Sequence, residues 1–401
     1  MIPALNAQPS KSPDLQSKKF GIPLLSWGAV YGLFWCYRSF FSVVGEVVIM
    51  RLTPISDTRT YQSSDLISSF VDIGSTGYGG TLGFQALATG LTQLIGGVFG
   101  AIFFHNAILS NIGFQTIGFI GLVAMLRALE PKERALFLPL LMLPSVTVWT
   151  SIASKEALLT FMLGIICAHI INIYKNKDKI RWYHWFSLLL LYAFKPHFLI
   201  SVMYVLLITY TAKYFRQKAT VAIVALISSL MMLYFFRDEY SELANWTNTV
   251  LAAMGGESGR PALLVEEYDV FYKAPYGMFI SFFGPTLGEV DKVLQVFTFI
   301  ESSAIIAVFL GLIIRGLWFL PIYSVIVSFG VIFWIIFLNY PLGATNAGTA
   351  IRYRSGYILL IFLAFIFLGS RSHYVDWTQG LKQRLSPLRQ ALFRMGLLKI
   401  P

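Results

Sequence analysis

Long apolar segments alternate with short polar ones along nearly the whole chain, and the apolar segments are long enough to cross a membrane. A transmembrane helix needs about 20 predominantly apolar residues. Runs of that kind recur from residue 20 to residue 370. The pattern predicts an all-α polytopic membrane protein with about ten transmembrane helices in 20–370, a polar tail at 1–19 and a basic tail at 371–401.

Lysine and arginine cluster in short segments beside the apolar runs, and such clusters mark the parts of a membrane protein that stay in the cytoplasm. Two of them, at 175–181 and 213–218, are separated by only one apolar hairpin. An even number of crossings with both tails in the cytoplasm accommodates every cluster. The same topology predicts three outer loops, at 51–81, 237–292 and 339–355.

The first half of the chain gives three finer expectations. Residues 82–100 contain five glycines and predict a helix that lies at the membrane interface or packs closely on its neighbours. A span is expected at about 135–150. Arg38 and Glu46 are eight residues apart in the first apolar window, roughly on one helical face, so they could form an ion pair.

In the second half, the thirty residues between the two basic clusters are too few for an ordinary hairpin of full-length spans. We therefore expect two short helices that meet at Lys195-Pro196-His197, where irregular backbone at membrane depth must line a cavity or be buried in protein. Two later spans, 293–314 and 317–338, are expected to be joined by a tight turn at Arg315.

The composition supports the membrane assignment and excludes several other classes. The chain is 56% hydrophobic and only 13% charged, which fits neither a soluble domain nor a disordered chain. Its net charge of +11 follows the topology signal and does not indicate nucleic-acid binding. The two cysteines lie in apolar runs, so neither a disulfide framework nor a thiolate metal site is predicted. No metal or cofactor is expected.

Lys155 and Glu156 interrupt two apolar runs, and charges between such segments are costly unless they face water, a cavity or each other. An ordinary turn is one interpretation, with Ser154 as the N-cap of the next helix and Glu156 favourable in its first turn. That interpretation leaves Lys155 unexplained, because a cation is unfavourable at a helix N-terminus. An anionic group is therefore expected near Lys155.

The predicted topology collects further unusual polar groups on the outer side. They are Asp57, Lys155, Glu156, Lys195, His197, Arg352 and Arg354. Cations opposite a carboxylate suggest a phosphate-bearing substrate and a general base. Each residue also has a structural interpretation: a plain loop aspartate, a kinked turn at Lys195, or arginines that snorkel to the interface. The chain has no Walker loop, dinucleotide fingerprint, HExxH or GxSxG motif. Because a site on the outer side would have no ATP or nucleotide-sugar available, a lipid-linked phosphate donor is the natural substrate.

Four short motifs, taken in order, resemble bacterial membrane glycosyltransferases of the GT-C superfamily. They are Asp57-xxx-Tyr61, the stretch Leu143-Pro-Ser…Trp149-Thr-Ser…Lys155-Glu156, Lys195-Pro-His197, and Asn346-Ala-Gly-Thr-Ala-Ile-Arg352-Tyr-Arg354. The resemblance implies that Asp57 is the catalytic base and that Lys155, Lys195, Arg352 and Arg354 hold a polyprenyl-phosphate. Tyr61, Glu156 and His197 belong to the same motifs and are expected to bind substrate. The chain departs from the superfamily pattern in its lone Asp57 and in having Lys195 where arginine is expected.

Together with the predicted topology, this resemblance implies a glycosyltransferase of the bacterial inner membrane that moves sugar from a polyprenyl-phosphate-linked donor to a glycan or lipid-linked acceptor on the outer face. An O-antigen or exopolysaccharide polymerase, which transfers a whole growing chain, is the nearest alternative. A transporter or flippase for lipid-linked sugars is the alternative from another class. A transporter predicts paired halves with discontinuous helices at matching positions.

Overall fold

Every regular element in the described part of the chain is a helix, as the apolar pattern predicts. The computed structural model describes residues 26–52, 56–64, 80–175, 180–214, 217–253, 259–290, 293–319 and 322–369. The two predicted tails, 1–19 and 371–401, lie outside these residues.

The helices are numbered here in chain order, and a π-helical turn, Gly45–Ile49, and a 3-10 turn, Leu287–Glu289, are left unnumbered. They are α1 (Trp27–Val44), α2 (Met50–Leu52), α3 (Ser56–Gln62), α4 (Gly80–Ile102), α5 (Ala107–Ala128), α6 (Pro131–Leu141), α7 (Pro144–Trp149), α8 (Lys155–Tyr174), α9 (Trp182–Phe194), α10 (Pro196–Tyr214), α11 (Lys218–Phe235), α12 (Arg237–Ala253), α13 (Asp269–Tyr272), α14 (Ala274–Phe283), α15 (Val293–Phe319), α16 (Ile322–Gly343) and α17 (Ala347–Gly369).

Among the described residues, six helical segments are long and apolar enough to cross a membrane. They are Trp27–Ile49, Ala107–Ala128, Lys155–Tyr174, Lys218–Phe235, Gln295–Ile314 and Ile322–Gly343. Helix α8 is surrounded by protein along most of its length, whereas α11 exposes an apolar surface almost throughout. An apolar helix that is exposed on most sides needs a lipid environment. The all-α membrane fold is therefore confirmed, and the ten-span topology with both tails in the cytoplasm stays a prediction.

Glycines let the central helices approach each other closely. A Cβ atom added at Gly164 of α8 would lie 2.3 Å from the backbone of Gly121 in α5, and one added at Gly121 would lie 2.5 Å from Cα of Phe161. Small residues permit this kind of backbone contact between helices in membranes. The crossing fixes the position of α8 against α5. It therefore also fixes Lys155 and Glu156, which are the first two residues of α8.

One predicted span and one predicted turn differ from the structure, and a proline lies close to each of the observed helix ends. The expected span at 135–150 is instead two short helices, because the residue before Pro144 is extended and α6 has already ended at Leu141. The expected turn at Arg315 is also wrong. Helix α15 continues through Arg315 to Phe319 and ends shortly before Pro321, since a single arginine–glycine step does not stop a helix.

The predicted ion pair between Arg38 and Glu46 is absent, because each side chain is bound elsewhere. Arg38 donates to the carbonyl and hydroxyl oxygens of Thr150, at 2.7 and 3.0 Å. Glu46 accepts from Gln62 at 2.7 Å and from Asn111 at 3.2 Å. The helix changes to π geometry at Gly45–Ile49, which alters the angular spacing between the two positions.

Two further local predictions agree with the structure, whereas the predicted outer loop at 339–355 is mostly helical, because α16 continues to Gly343 and α17 begins at Ala347. Helices α9 and α10 meet at Lys195, which is the only residue between them. The glycine-containing segment at 82–100 lies within α4 and packs closely, as one of its two interpretations requires, because a Cβ at Gly96 would lie 2.0 Å from the carbonyl oxygen of Tyr61.

Candidate functional site

Three charged side chains from distant parts of the chain meet at one place. The Nη1 atom of Arg352 lies 3.0 Å from Oδ2 of Asp57, and its Nε atom lies 3.0 Å from Oε1 of Glu156. The side chain of Glu156 is 2% exposed, that of Arg352 is 21% exposed and that of Asp57 is 48% exposed. The group therefore runs from the protein interior to a solvent-accessible carboxylate.

Two lysines lie next to these three residues. The Nζ atom of Lys155 donates to Oγ1 of Thr89 at 2.6 Å, and the Nζ atom of Lys195 lies 4.2 Å from the ring centre of Tyr353. The charges of both lysines interact with those of Asp57, Glu156 and Arg352. Neither lysine forms an ion pair with a carboxylate in the described part of the chain. We call Asp57, Lys155, Glu156, Lys195 and Arg352 the Arg352 cluster, which carries one formal positive charge in excess.

Tyr61 holds Asp57 in place by anchoring helix α3 in the protein. Tyr61, one turn later in α3, is 2% exposed and its backbone packs directly on Gly96 of α4. The hydroxyl of Tyr61 hydrogen-bonds Thr89, which also binds Lys155. Burial and, less strongly, the charge of Asp57 raise the pKa of Tyr61, so its phenol stays protonated. Tyr61 thus supports the cluster from inside and does not reach the exposed side.

The bend before α8 is fixed by a buried polar network. Asn111 accepts a hydrogen bond from the backbone amide of Ala153 at 2.8 Å and donates to Glu46. Ser154 caps α8 as predicted, since its hydroxyl accepts from the amide of Ala157 at 3.2 Å. Arg38 binds Thr150 at the start of the same bend. These contacts place Lys155 beside Thr89 of α4 and Glu156 beside Arg352 of α17.

Aromatic rings face two cations of the cluster. The guanidinium of Arg352 lies 5.8 Å from the ring centre of Trp149, and Tyr353 faces Lys195. Aromatic faces attract cations and also pack against sugar rings through their apolar surface. Trp149 ends α7, the short helix that replaces the second half of the predicted span.

Arg354 lies apart from the cluster, although only Tyr353 separates it from Arg352. It is 1% exposed and donates to Oγ of Ser302 at 2.7 Å and to the carbonyl oxygen of Phe282 at 3.1 Å. Its Nη2 atom lies 3.7 Å from Oε1 of Glu301. The structure therefore places Arg354 in a second, buried cluster, because residues two apart on a helix point to different sides.

His197 follows Lys195 in the first turn of α10 and packs edge-on against Phe198. Its Nε2 atom is buried and has no hydrogen-bond partner in the described part of the chain. His197 makes no contact with Arg352 of the kind that Asp57 and Glu156 make. Its predicted role in substrate binding stays a prediction.

Sequence reasoning missed Thr89, the second cluster and the polar network under the bend. Glu301 could have been noticed, since it is a charge inside an apolar run, whereas Arg38 was noticed but expected to pair with Glu46. Their partners could not, because Ser145 and Thr150 are 156 and 112 residues away along the chain.

The arrangement can hold an anion and accept a proton at neighbouring positions. Three cations, Arg352, Lys155 and Lys195, interact with one half-exposed carboxylate, Asp57, and cations of this kind bind phosphate. Within the described ranges, no three His, Cys, Asp or Glu side chains come together in a way that could hold a metal ion. Comparisons with protein-family models, with curated proteins and with solved structures found no match to this chain, so its function must be argued from the chemistry of the Arg352 cluster.

Proposed function

We propose that this chain is an integral membrane glycosyltransferase of the bacterial inner membrane. It transfers a sugar from a polyprenyl-phosphate or polyprenyl-diphosphate donor to a glycan or lipid-linked acceptor on the outer face. The observation that supports this best is the Arg352 cluster, in which Asp57, half exposed, lies 3.0 Å from an arginine flanked by two lysines that lack a carboxylate partner among the described residues. A membrane fold supplies direct access for a lipid-linked substrate.

Exposure separates the two carboxylates into different roles. Asp57 is accessible enough to receive a proton from an acceptor hydroxyl, whereas Glu156 is almost fully buried. In the proposed reaction the acceptor oxygen attacks the anomeric carbon, and its proton passes to the Asp57 carboxylate. The bond between that carbon and the donor phosphate breaks, and the phosphate oxygen leaves with the electron pair.

The cations act on the leaving group. Negative charge grows on the phosphate as the glycosidic bond breaks, and fixed positive charges at that point stabilise the transition state more than the ground state. Lys155 and Lys195 are held by Thr89 and Tyr353 without being neutralised by a described carboxylate. Arg352 adds a planar group that suits bidentate phosphate binding.

The test uses purified protein in lipid nanodiscs with extracted lipid-linked sugars, together with complementation of a deletion strain that lacks its surface glycan. Asp57→Asn is expected to lower transfer by about 10²–10⁴-fold, the usual loss when a general base is removed. Asp238→Asn is the matched control, because Asp238 is also exposed but pairs with Arg237 and Tyr268. It should leave transfer unchanged.

Normal transfer by Asp57→Asn at normal membrane levels would contradict the proposed mechanism and favour transport or assembly. Addition of one sugar indicates a glycosyltransferase in the narrow sense, and a ladder of products indicates a polymerase that uses the same residues.

A further inference from the structure

Arg352 is shared by two carboxylates that differ in how tightly they are held. Glu156 accepts from Nε, is 2% exposed, and has a second oxygen, Oε2, that is buried without a partner in the described ranges. Breaking this pair would leave a buried charge uncompensated, which is strongly unfavourable. Asp57 is 48% exposed, so water can solvate it as soon as it leaves Arg352.

The two carboxylates also use different parts of the guanidinium group. Asp57 binds through one oxygen to Nη1, and Nη2 has no hydrogen-bond partner among the described residues. The edge formed by Nη1 and Nη2 is the one that remains for a phosphate, since Glu156 occupies Nε. A phosphate that binds this edge with two oxygens must take the place of Asp57 on Nη1.

We propose that Glu156 is a positioning residue that fixes Arg352, and that the phosphate of a polyprenyl-phosphate substrate displaces Asp57 from Arg352. Phosphate binding thereby releases the Asp57 carboxylate toward the acceptor hydroxyl at the moment when the donor is in place. This inference rests on the proposed function and adds an order of events to it. Lys155 and Lys195 offset the loss of Asp57 as a partner, because they keep positive charge beside the incoming phosphate.

The experiment measures binding of farnesyl phosphate to the full-length protein in detergent, with farnesol as the control for the lipid tail. Asp57→Asn removes the competitor and should lower the Kd by about two- to fivefold, the range expected for a partly exposed ion pair. Glu156→Gln is the matched variant, since it also removes one negative charge from Arg352. It should raise the Kd, because Arg352 is no longer fixed. Size-exclusion chromatography checks that each variant is folded.

Each result separates the inference from the function on which it rests. Equal tightening in both variants would overturn the proposed competition, because net charge alone would then explain binding. An unchanged Kd in Asp57→Asn would overturn it as well, while leaving the phosphate site and the proposed function intact. If wild-type protein binds farnesyl phosphate no better than farnesol, the phosphate site is wrong and the proposed function fails with it.

Discussion

Replacing Gly164 with alanine should disturb the crossing of α5 and α8 and, through it, the Arg352 cluster. The new Cβ atom would lie 2.3 Å from both the carbonyl carbon and the carbonyl oxygen of Gly121, whereas ordinary contacts begin near 3.4 Å. The helices must therefore separate by about 1 Å, because the atoms in the way belong to the backbone and cannot rotate aside.

The cost can be approximated from known core substitutions. Inserting a methyl group into a well-packed core destabilises by about 1–3 kcal/mol, and a contact with rigid backbone belongs at the upper end. Since 1 kcal/mol corresponds to roughly 2 °C in a large domain, the apparent melting midpoint should fall by about 4–6 °C. Lys155 and Glu156 lie at the start of the displaced helix, so phosphate binding should weaken as well.

The assay is thermal unfolding of the purified protein in one detergent, with Gly32→Ala as the matched control. A Cβ at Gly32 of α1 would meet no atom within 4 Å. This variant should be neutral or stabilised by up to about 1 kcal/mol, because alanine favours a helix more than glycine does. Equal melting midpoints for Gly164→Ala and Gly32→Ala would refute the close helix crossing.

Two further predictions concern charges outside the Arg352 cluster. Glu301→Ala leaves Arg354 buried without its carboxylate and should destabilise by about 3–5 kcal/mol, seen as loss of folded protein in membranes. The double variant Glu301→Leu with Arg354→Met should recover folded protein, and no recovery would show that the lone arginine is not the cause. Burial alone would raise the pKa of Asp269, but hydrogen bonds, above all from Lys273, lower it to about 2. This pKa is below the ordinary value of 3.8. The stability that ionised Asp269 contributes is therefore fully present above pH 3.8 and is lost as the pH falls toward about 2. Melting midpoints should therefore drop over this window more steeply in the wild type than in Asp269→Asn, and parallel curves would argue against the assignment.

Local rules predicted several features correctly, because each depends on neighbours in the sequence. Pro196 separates α9 from α10, and Ser154 caps α8. The same rules failed where two local signals compete. Pro144 ended an expected span early, while Arg315 failed to end one, since a single arginine–glycine step does not stop a helix.

In the candidate site, too, the sequence predicted some features correctly and others wrongly. The predicted topology and the superfamily resemblance identified Asp57, Glu156 and Arg352 as unusual, and the structure brings these three together. The sequence grouped Arg354 with Arg352, but the structure separates them. The ion pair expected between Arg38 and Glu46 was inferred only from their positions on one helical face. In the structure each side chain binds a different partner, Thr150 for Arg38 and Gln62 for Glu46.

By itself the sequence determined that the chain is helical and embedded in a membrane, because the length and polarity of each segment decide whether it can leave water. Only the tertiary structure decided which charges meet. Asp57 and Arg352 are 295 residues apart, and their contact depends on glycine-mediated helix crossings and on a buried network under the bend before α8. Such contacts depend on the packing of whole helices, which no local pattern of hydrophobic and polar positions specifies.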